Sequence, residues 1–74
     1  MSAKQHKAFL ILLGNKIKAN REALGITQSE LARRCDKDRQ NINRIEKGYV
    51  NISVGYLKLI AESLNLSIKD FFED

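Results

Sequence analysis

Residues 39–47 carry polar and basic side chains whose spacing suits hydrogen bonding to nucleic-acid bases. At about 3.6 residues per helical turn, these side chains share an arc of roughly 140°, and no acidic residue lies within it. Arginine offers a rigid fork of donors that fits guanine O6 and N7 or a phosphate, and glutamine and asparagine can bond bidentately to adenine. We refer to this set as the polar face: Arg39, Gln40, Asn43, Arg44 and Lys47.

The opposite side of the same segment is apolar. Relative to the first residue of the segment, Ile45 and Ile42 fall at roughly 240° and 300°, with Glu46 beside them near 340°. The apolar side must face a protein core, so the polar face points outward. Most polar faces of this kind are simply solvated, because every amphipathic helix needs one. A short helix and a tight turn directly before this segment favour the binding interpretation.

That preceding helix has clear start and stop signals. Thr27 and Glu30 have the spacing of a capping box, which predicts a helix beginning at residue 28. After a charged break at residues 36–38, Asp38 can cap the polar helix, and Gly48 can end it in the left-handed conformation. The pair is therefore helix, tight turn, helix. The apolar face of the first helix consists of Leu31, Ala32 and Cys35.

The N-terminal third combines a polar start with a long apolar pattern. We expect residues 1–7 to be frayed, with no role for His6, and a helix to run from about residue 8 to residue 24. Gly14 in this helix would permit a close helix contact. The run at residues 9–13 is apolar on every side, so it lies either in a subunit interface or against the last helix of the same chain.

The C-terminal third contains two further helical patterns. Ser53 is a suitable N-cap for a helix to about residue 64, and Asn65 can take the left-handed position after it. Ser67 and Asp70 have the spacing to cap a short final helix. With no proline in the chain, these patterns together predict an all-α fold of five helices.

Composition limits the class of protein. Seventy-four residues with 43% apolar content make one small globular domain, residues 1–74. A single cysteine excludes an internal disulfide, and with a single histidine it cannot build a structural zinc site. We therefore expect no metal or cofactor, no membrane span and a cytoplasmic protein. No catalytic set of residues or phosphate-binding glycine loop is present, so an enzyme is not expected.

Charge is unevenly distributed along the chain, whose net charge is +4. Residues 1–24 carry five Lys and Arg against one acid, residues 25–47 carry six against four, and residues 48–74 carry two against four. A basic field attracts phosphate polyanions such as nucleic acids. The first two thirds of the chain are therefore the expected binding region.

The chain resembles the Cro/Xre-type helix-turn-helix family of phage repressors and bacterial regulators, and residues 38–46 are also similar to controller proteins of restriction-modification systems. The match runs over residues 13–72 and leaves residues 1–12 as an N-terminal extension. The residues that carry it are Leu13-Gly14, Ile17 and Arg21, T-Q-x-E-L-A at residues 27–32, I-x-x-I-E-x-G at residues 42–48, and L-x-x-I-A-x-x-L-N-L-S at residues 57–67.

The resemblance implies a compact five-helix domain that binds double-stranded operator DNA as a two-fold homodimer, with the helix at about residues 39–47 in the major groove. By position, the base contacts would come from Arg39, Gln40 and Arg44, with Asn43 nearby. Gln28 would contact a phosphate, and Arg21 and Glu46 would form a structural ion pair. The charge pattern adds further phosphate candidates: Arg33, Lys37 and Lys47.

Two alternatives stay open at this point. The family commonly has glycine and an apolar residue in the turn, where this chain has Asp36 and Lys37, so the turn is either looser or brings the lysine to a phosphate. The chain could also act mainly through protein contact, as an antitoxin or adaptor, with residues 9–13 or Phe71 and Phe72 as the docking surface. We expect no small-molecule effector, because the chain has no room for an effector domain.

Overall fold

Capping side chains define the starts of the helices in the computed structural model, which describes residues 2–72. Each α-helix begins after a residue whose side-chain oxygen accepts a hydrogen bond from a backbone N–H three residues later. The capping residues are Ser2, Thr27, Asp38 and Ser53. The resulting elements are α1 (Ala3–Ala23), α2 (Gln28–Arg34), α3 (Arg39–Glu46), α4 (Val54–Ser63) and a final 3₁₀ helix (Ile68–Phe71).

The expected frayed start of the chain is wrong for residues 2–7. Ser2 and Gln5 form a complete capping box, in which Gln5 N donates to Ser2 Oγ at 3.2 Å and Ser2 N donates to Gln5 Oε1 at 2.9 Å. This box starts α1 at Ala3, five residues before the first strongly apolar position at Ala8. Met1 lies outside the described residues.

The predicted count of five helices is also wrong, because the last element is a 3₁₀ helix. Its backbone bonds span three residues: Asp70 N donates to Ser67 O at 2.9 Å, and Phe72 N donates to Lys69 O at 2.9 Å. A segment of four residues is typical of 3₁₀ helices, which occur mostly in short pieces. The all-α prediction itself is confirmed within residues 2–72.

Apolar side chains from every element meet in one core. The residues predicted to face inward from α2 and α3 are buried there, and Cys35 is buried with its Sγ 3.4 Å from Ser63 Oγ. The core therefore fixes which side of α3 is left for solvent. Its members are Leu13, Ile17, Leu31, Ala32, Cys35, Ile42, Ile45, Leu57, Ile60, Ala61, Leu64 and Phe71.

Two glycines allow α1 to cross closely over the C-terminal end of α3. A Cβ at Gly14 would lie 2.5 Å from the carbonyl oxygens of both Ile45 and Glu46, which is inside van der Waals contact. Gly48 ends the α3 region with a φ of 74°, and a Cβ there would lie 2.8 Å from the backbone of Ile11. The missing side chains thus bring the backbones of α1 and α3 together, as expected for Gly14.

The apolar run at residues 9–13 is only partly covered by its own chain. The ring of Phe9 stacks on that of Phe72 with centroids 6.1 Å apart, and Leu13 is in the core. Ile11 and Leu12 remain 41% and 52% exposed. Packing within the same chain therefore buries Leu13 and covers part of Phe9, which is 38% exposed, and leaves Ile11 and Leu12 largely exposed.

We predict that Gly14→Ala destabilises the fold by about 1–3 kcal/mol, because the added methyl group meets two backbone carbonyls that cannot turn aside. Gly55→Ala is the matched control: it lies in α4 with no atom within 4 Å of an added Cβ. Alanine is the better helix former, so this variant should be neutral or up to about 1 kcal/mol more stable. Urea unfolding measures both, and equal effects would contradict the close crossing.

Candidate nucleic-acid interface

The polar face of α3 points away from the core, as the helical pattern predicted. Arg39, Gln40 and Arg44 are exposed, while Asn43 is half-buried. On the other side of the helix, Ile42 and Ile45 are in the core. Three side chains with strong hydrogen-bonding groups therefore project from one rigid helix.

A buried ion pair joins α1 to α3 behind this face. Arg21 Nε donates to Glu46 Oε2 at 2.7 Å and Arg21 Nη2 donates to Glu46 Oε1 at 3.1 Å, with side chains only 9% and 2% exposed. The same guanidinium donates through Nη1 to the carbonyl of Ile26 at 2.8 Å. Hydrogen bonding to Glu46 raises the pKa of Arg21 above its ordinary value. The pair is thus bidentate, which fixes the rotation of α3 relative to α1.

Gln28 extends this pair into a network at the start of α2. Its Nε2 donates to Glu46 Oε1 at 3.0 Å and to Asn43 Oδ1 at 3.3 Å. Both amide hydrogens of the side chain are therefore engaged inside the protein. From sequence, Gln28 was expected at a phosphate, Asn43 near a base and Glu46 in support, and the structure brings the three side chains together.

The two arginines at the end of α2 share one carboxylate. Arg33 donates to Glu30 through Nε at 2.9 Å and Nη2 at 2.6 Å, and Arg34 Nε donates to Glu30 Oε2 at 2.9 Å. These bonds lower the pKa of Glu30 from 4.5 to about 2. The stability that the ionised Glu30 carboxylate gives to the fold is therefore present above pH 4.5 and is lost as the pH falls towards 2. Arg33 stays 72% exposed, but Glu30 offsets part of its charge.

The predicted capping box at the start of α2 is only half formed. Glu30 N donates to Thr27 Oγ1 at 3.0 Å, as expected. The Glu30 carboxylate does not return to the cap and bonds to Arg33 and Arg34 instead. Two cations within one helical turn outcompete a single backbone N–H for a carboxylate.

The turn between α2 and α3 departs from the family pattern and is nevertheless tight. Asp36 adopts the left-handed conformation with φ of 55°, and Lys37 N donates to the carbonyl of Ala32 at 2.8 Å. Lys37 Nζ lies 5.0 Å from the centre of the Tyr56 ring in α4. A cation on an aromatic face thus occupies the position where the family has an apolar residue. Lys37 remains exposed.

A polar cleft of about 330 Å³ lies between α1 and the end of α3. Within residues 2–72, neither Lys18 nor Lys47 is within ion-pair distance of a carboxylate, and Lys47 Nζ lies 5.8 Å from the centre of the Tyr49 ring. Sequence reasoning missed Lys18, although it lies one helical turn before Arg21, which was expected to reach α3. The cleft is lined by Asn15, Lys18, Gln28, Asn43, Glu46, Lys47 and Tyr49.

Sequence reasoning also missed Asn41, a half-buried residue of α3. The hydroxyl of Tyr56 donates to Asn41 Oδ1, and burial raises the pKa of Tyr56 to about 12, with smaller effects of Cys35 and Asp38. No local pattern could have revealed this bond, because the two residues are 15 positions apart in different helices. Asn41 lines a second polar notch of about 180 Å³ with Asp38, Gln40 and Arg44.

Residues 2–72 contain neither a cluster of metal-ligating side chains nor a helix that could span a membrane. In this part of the chain no three His, Cys, Asp or Glu side chains are grouped so that they could hold a metal ion. None of its helices combines the length and the apolar character needed to cross a bilayer.

Comparison with known proteins gives consistent matches. A family model described as helix-turn-helix matches residues 17–71. Uncharacterized HTH-type transcriptional regulators of Rickettsia conorii and Sinorhizobium medicae are 43% identical over 61 residues and 33% identical over 64 residues. The matched segments cover 82% and 86% of this chain but 49% and 46% of those proteins. The chain thus spans about half the length of these relatives.

Solved structures show the same arrangement of helices. The restriction-modification controller protein C.AhdI from Aeromonas hydrophila superposes with a TM-score of 0.87 at 28% identity, covering 90% of this chain and 97% of that one. The clp gene regulator ClgR from Corynebacterium glutamicum has a TM-score of 0.84 at 23% identity, covering 86% and 68%. The second likeness concerns the fold alone.

We predict that Glu46→Gln costs about 3–5 kcal/mol, because it leaves the buried Arg21 guanidinium without a counter-charge. Glu30→Gln is the matched control, since it removes a carboxylate of the same type from an exposed pair and should have a much smaller effect. Thermal or urea unfolding at neutral pH compares the two. Similar losses would contradict the assignment of Arg21 and Glu46 as the pair that holds α1 to α3.

Proposed function

The chain belongs to the Cro/Xre-type helix-turn-helix family, and we propose that it is a transcription regulator that binds double-stranded DNA in a sequence-specific manner. The observation that carries this proposal is the polar face of α3. It presents Arg39, Gln40 and Arg44 to solvent while the other side of the helix is locked into the core. The relatives that are named as transcriptional regulators support it. Their regulatory role is part of the proposal for this chain, because the chain spans about half of the length of those relatives.

In the proposed complex, α3 lies in the major groove. Arg39 and Arg44 would donate to guanine or to phosphate, and Gln40 would bond to adenine N6 and N7. Asn43 lies nearby; its Oδ1 accepts a bond from Gln28, which leaves its amide hydrogens and one lone pair of Oδ1 for contact. Side chains on a packed helix are pre-positioned, so little entropy is lost when they meet the base edges.

Phosphate groups on either side of the groove would be held by basic side chains around α3. The cleft between α1 and α3 suits one phosphate, with Lys18 and Lys47 supplying charge and Gln28 at its wall. A phosphate that bonds to Gln28 Nε2 would have to displace its bond to Asn43, the longer of its two at 3.3 Å. On the far side of the motif, the exposed Arg33 and Lys37 are the proposed phosphate contacts.

We propose that two copies bind together around a two-fold axis. One recognition helix covers only a few base pairs, whereas a dimer reads two half-sites about one helical turn apart. An apolar cleft of about 260 Å³ beside Phe9 and Phe72 supplies a surface that such contact would cover, and Val54 at its edge is 75% exposed.

The same apolar cleft favours a second candidate function, docking to a different protein as an antitoxin or adaptor would. Exposed apolar side chains beside a polar surface mark protein contact without specifying the partner. DNA binding distinguishes the two candidates, because an adaptor does not need to select any duplex.

We predict that Arg39→Ala and Gln40→Ala each lose about 1–3 kcal/mol of discrimination at particular base pairs, because each removes a base-edge contact. Lys18→Ala and Lys47→Ala should weaken binding to every duplex alike and lower the slope of log affinity against log salt by about one. Fluorescence anisotropy across a salt series measures both quantities.

Lys69→Ala is the charge-matched control for the two lysines, because it removes one positive charge from the 3₁₀ helix, outside the proposed interface. Its salt slope should equal that of the unmodified protein. If Lys18→Ala and Lys47→Ala behave like Lys69→Ala, the cleft does not hold a phosphate.

We predict that light scattering after size exclusion finds two protein copies on a duplex with two half-sites and one copy on a single half-site. Val54→Glu, which places a charge at the edge of the apolar cleft, should weaken binding to the full duplex and leave the half-site complex unchanged. A monomer that ignores every duplex but binds a coexpressed protein would reject the regulator in favour of the adaptor.

A further inference from the structure

Asn41 lies at the border between the polar face of α3 and the core. On the helical wheel it falls at about 200°, outside the polar arc and next to the isoleucines. In space, however, it shares the notch of about 180 Å³ with Gln40, Arg44 and the cap residue Asp38. A base edge that meets Gln40 and Arg44 therefore also meets the opening in which Asn41 lies.

The side chain of Asn41 is held in one orientation by Tyr56 of α4, whose hydroxyl donates to Asn41 Oδ1. Tyr56 is itself fixed, because its backbone N donates to Ser53 Oγ at 3.1 Å and the Lys37 ammonium lies 5.0 Å from its ring centre. Burial keeps the hydroxyl protonated at neutral pH. Tyr56 is thus a constant donor, and the amide of Asn41 cannot rotate without losing this bond.

The amide nitrogen of Asn41 has no partner within residues 2–72. The backbone N of Asn41 is used by the cap, donating to Asp38 Oδ1 at 2.8 Å, but Nδ2 donates to no protein acceptor. No buried side-chain nitrogen or oxygen in these residues lacks a partner, so this Nδ2 must reach solvent. Asn41 therefore keeps both hydrogens of Nδ2 for the notch, while Tyr56 takes one of the two lone pairs of Oδ1.

An asparagine whose oxygen is bonded to a fixed tyrosine has a different preference from a free one. Asparagine recognises adenine by accepting from N6 while donating to N7, which requires its oxygen. With the amide held by Tyr56 and one lone pair of Oδ1 taken, contact through Nδ2 favours acceptors such as guanine O6 and N7 or thymine O4, and the amino group of cytosine is disfavoured. Because Asn41 lies beside Gln40 and Arg44, the base that it would contact is among the base pairs that α3 would read.

We propose that Asn41 is a further specificity-determining residue, which selects a hydrogen-bond acceptor on a base edge, and that Tyr56 is the residue that positions it. This inference rests on the proposed function, since it needs α3 in a major groove. It adds one base pair in each half-site to those assigned to Arg39, Gln40 and Arg44.

The experiment uses the full chain and duplexes that the unmodified protein selects from a random pool. Every single-base-pair change in one half-site is then measured by fluorescence anisotropy for four variants. Asn41→Ala should reduce the preference at one base pair by about tenfold. Asn41→Asp should reverse it towards cytosine or adenine, because a carboxylate accepts only. Tyr56→Phe should shift the same base pair towards adenine, because the asparagine oxygen becomes free.

Tyr49→Phe is the matched control, because it removes the same hydroxyl from a tyrosine whose side chain makes no hydrogen bond to α3 in residues 2–72; its backbone bond to the carbonyl of Arg44 is unaffected. Whatever affinity it loses should be lost equally on every duplex. Melting temperatures distinguish a loss of folding from a loss of DNA contact. The base preference of a folded variant can still be measured when its overall affinity for DNA is lower.

Two results would overturn the inference alone: a uniform loss on all duplexes with Asn41→Ala, which marks a phosphate contact or a structural role, or an unchanged preference with both Asn41→Asp and Tyr56→Phe. In either case the unmodified protein still selects a sequence, and the proposed function stands. If the unmodified protein enriches no sequence, the proposed function and this inference fail together.

Discussion

The buried pair of Arg21 and Glu46 is the interaction on which the arrangement of this domain depends. A buried ion pair is a poor source of net stability, because removing two charges from water offsets most of their attraction. Its value here is geometric. Glu46 lies at the end of α3, Arg21 near the end of α1, and their bidentate bond allows only one rotation of α3. That rotation decides which side chains of α3 face outward.

Close backbone contact supplies the second constraint on α3. The α1 backbone lies directly over the carbonyls of Ile45 and Glu46 at Gly14, and over Gly48 at Ile11. The C-terminal end of α3 is therefore clamped by α1. At the other end of α3, Tyr56 of α4 bonds to Asn41, and Lys37 of the turn lies on the Tyr56 ring. Each end of the short α3 helix is thus held by a different neighbour.

Local sequence patterns predicted the elements better than the side-chain partners. The caps at Thr27, Asp38 and Ser53 and the burial of Ile42 and Ile45 depend on spacing along one helix, and spacing is visible in a sequence. The start of α1 is equally visible in the Ser2 and Gln5 pattern, but the apolar periodicity that predicts this helix starts only at about residue 8. The short last helix lies where the sequence predicts it, but its hydrogen bonds are those of a 3₁₀ helix and not of an α-helix.

Apart from the Arg21–Glu46 pair, which the family resemblance implies, partner choice between helices could not be predicted, for physical reasons. Gln28 bonds to Asn43 and Glu46 because of the crossing of α2 and α3, which no local pattern encodes. Glu30 had a cap and two arginines within reach, and the stronger charge-assisted bonds prevailed. Lys18 becomes a candidate only once α1 is seen to form one wall of the cleft beside Lys47. The binding roles of these side chains stay predictions.

Selection of bound duplexes from a random pool, at a fixed salt concentration of about 0.15 M, tests the central claim most directly, because salt sets the non-specific background. The account predicts enrichment of two inverted half-sites about one helical turn apart, each containing guanine or adenine at the positions met by Arg39, Gln40 and Arg44. A pool that stays random after repeated rounds, although the protein is folded and retains DNA, would contradict it, since the polar face of α3 would then supply charge alone.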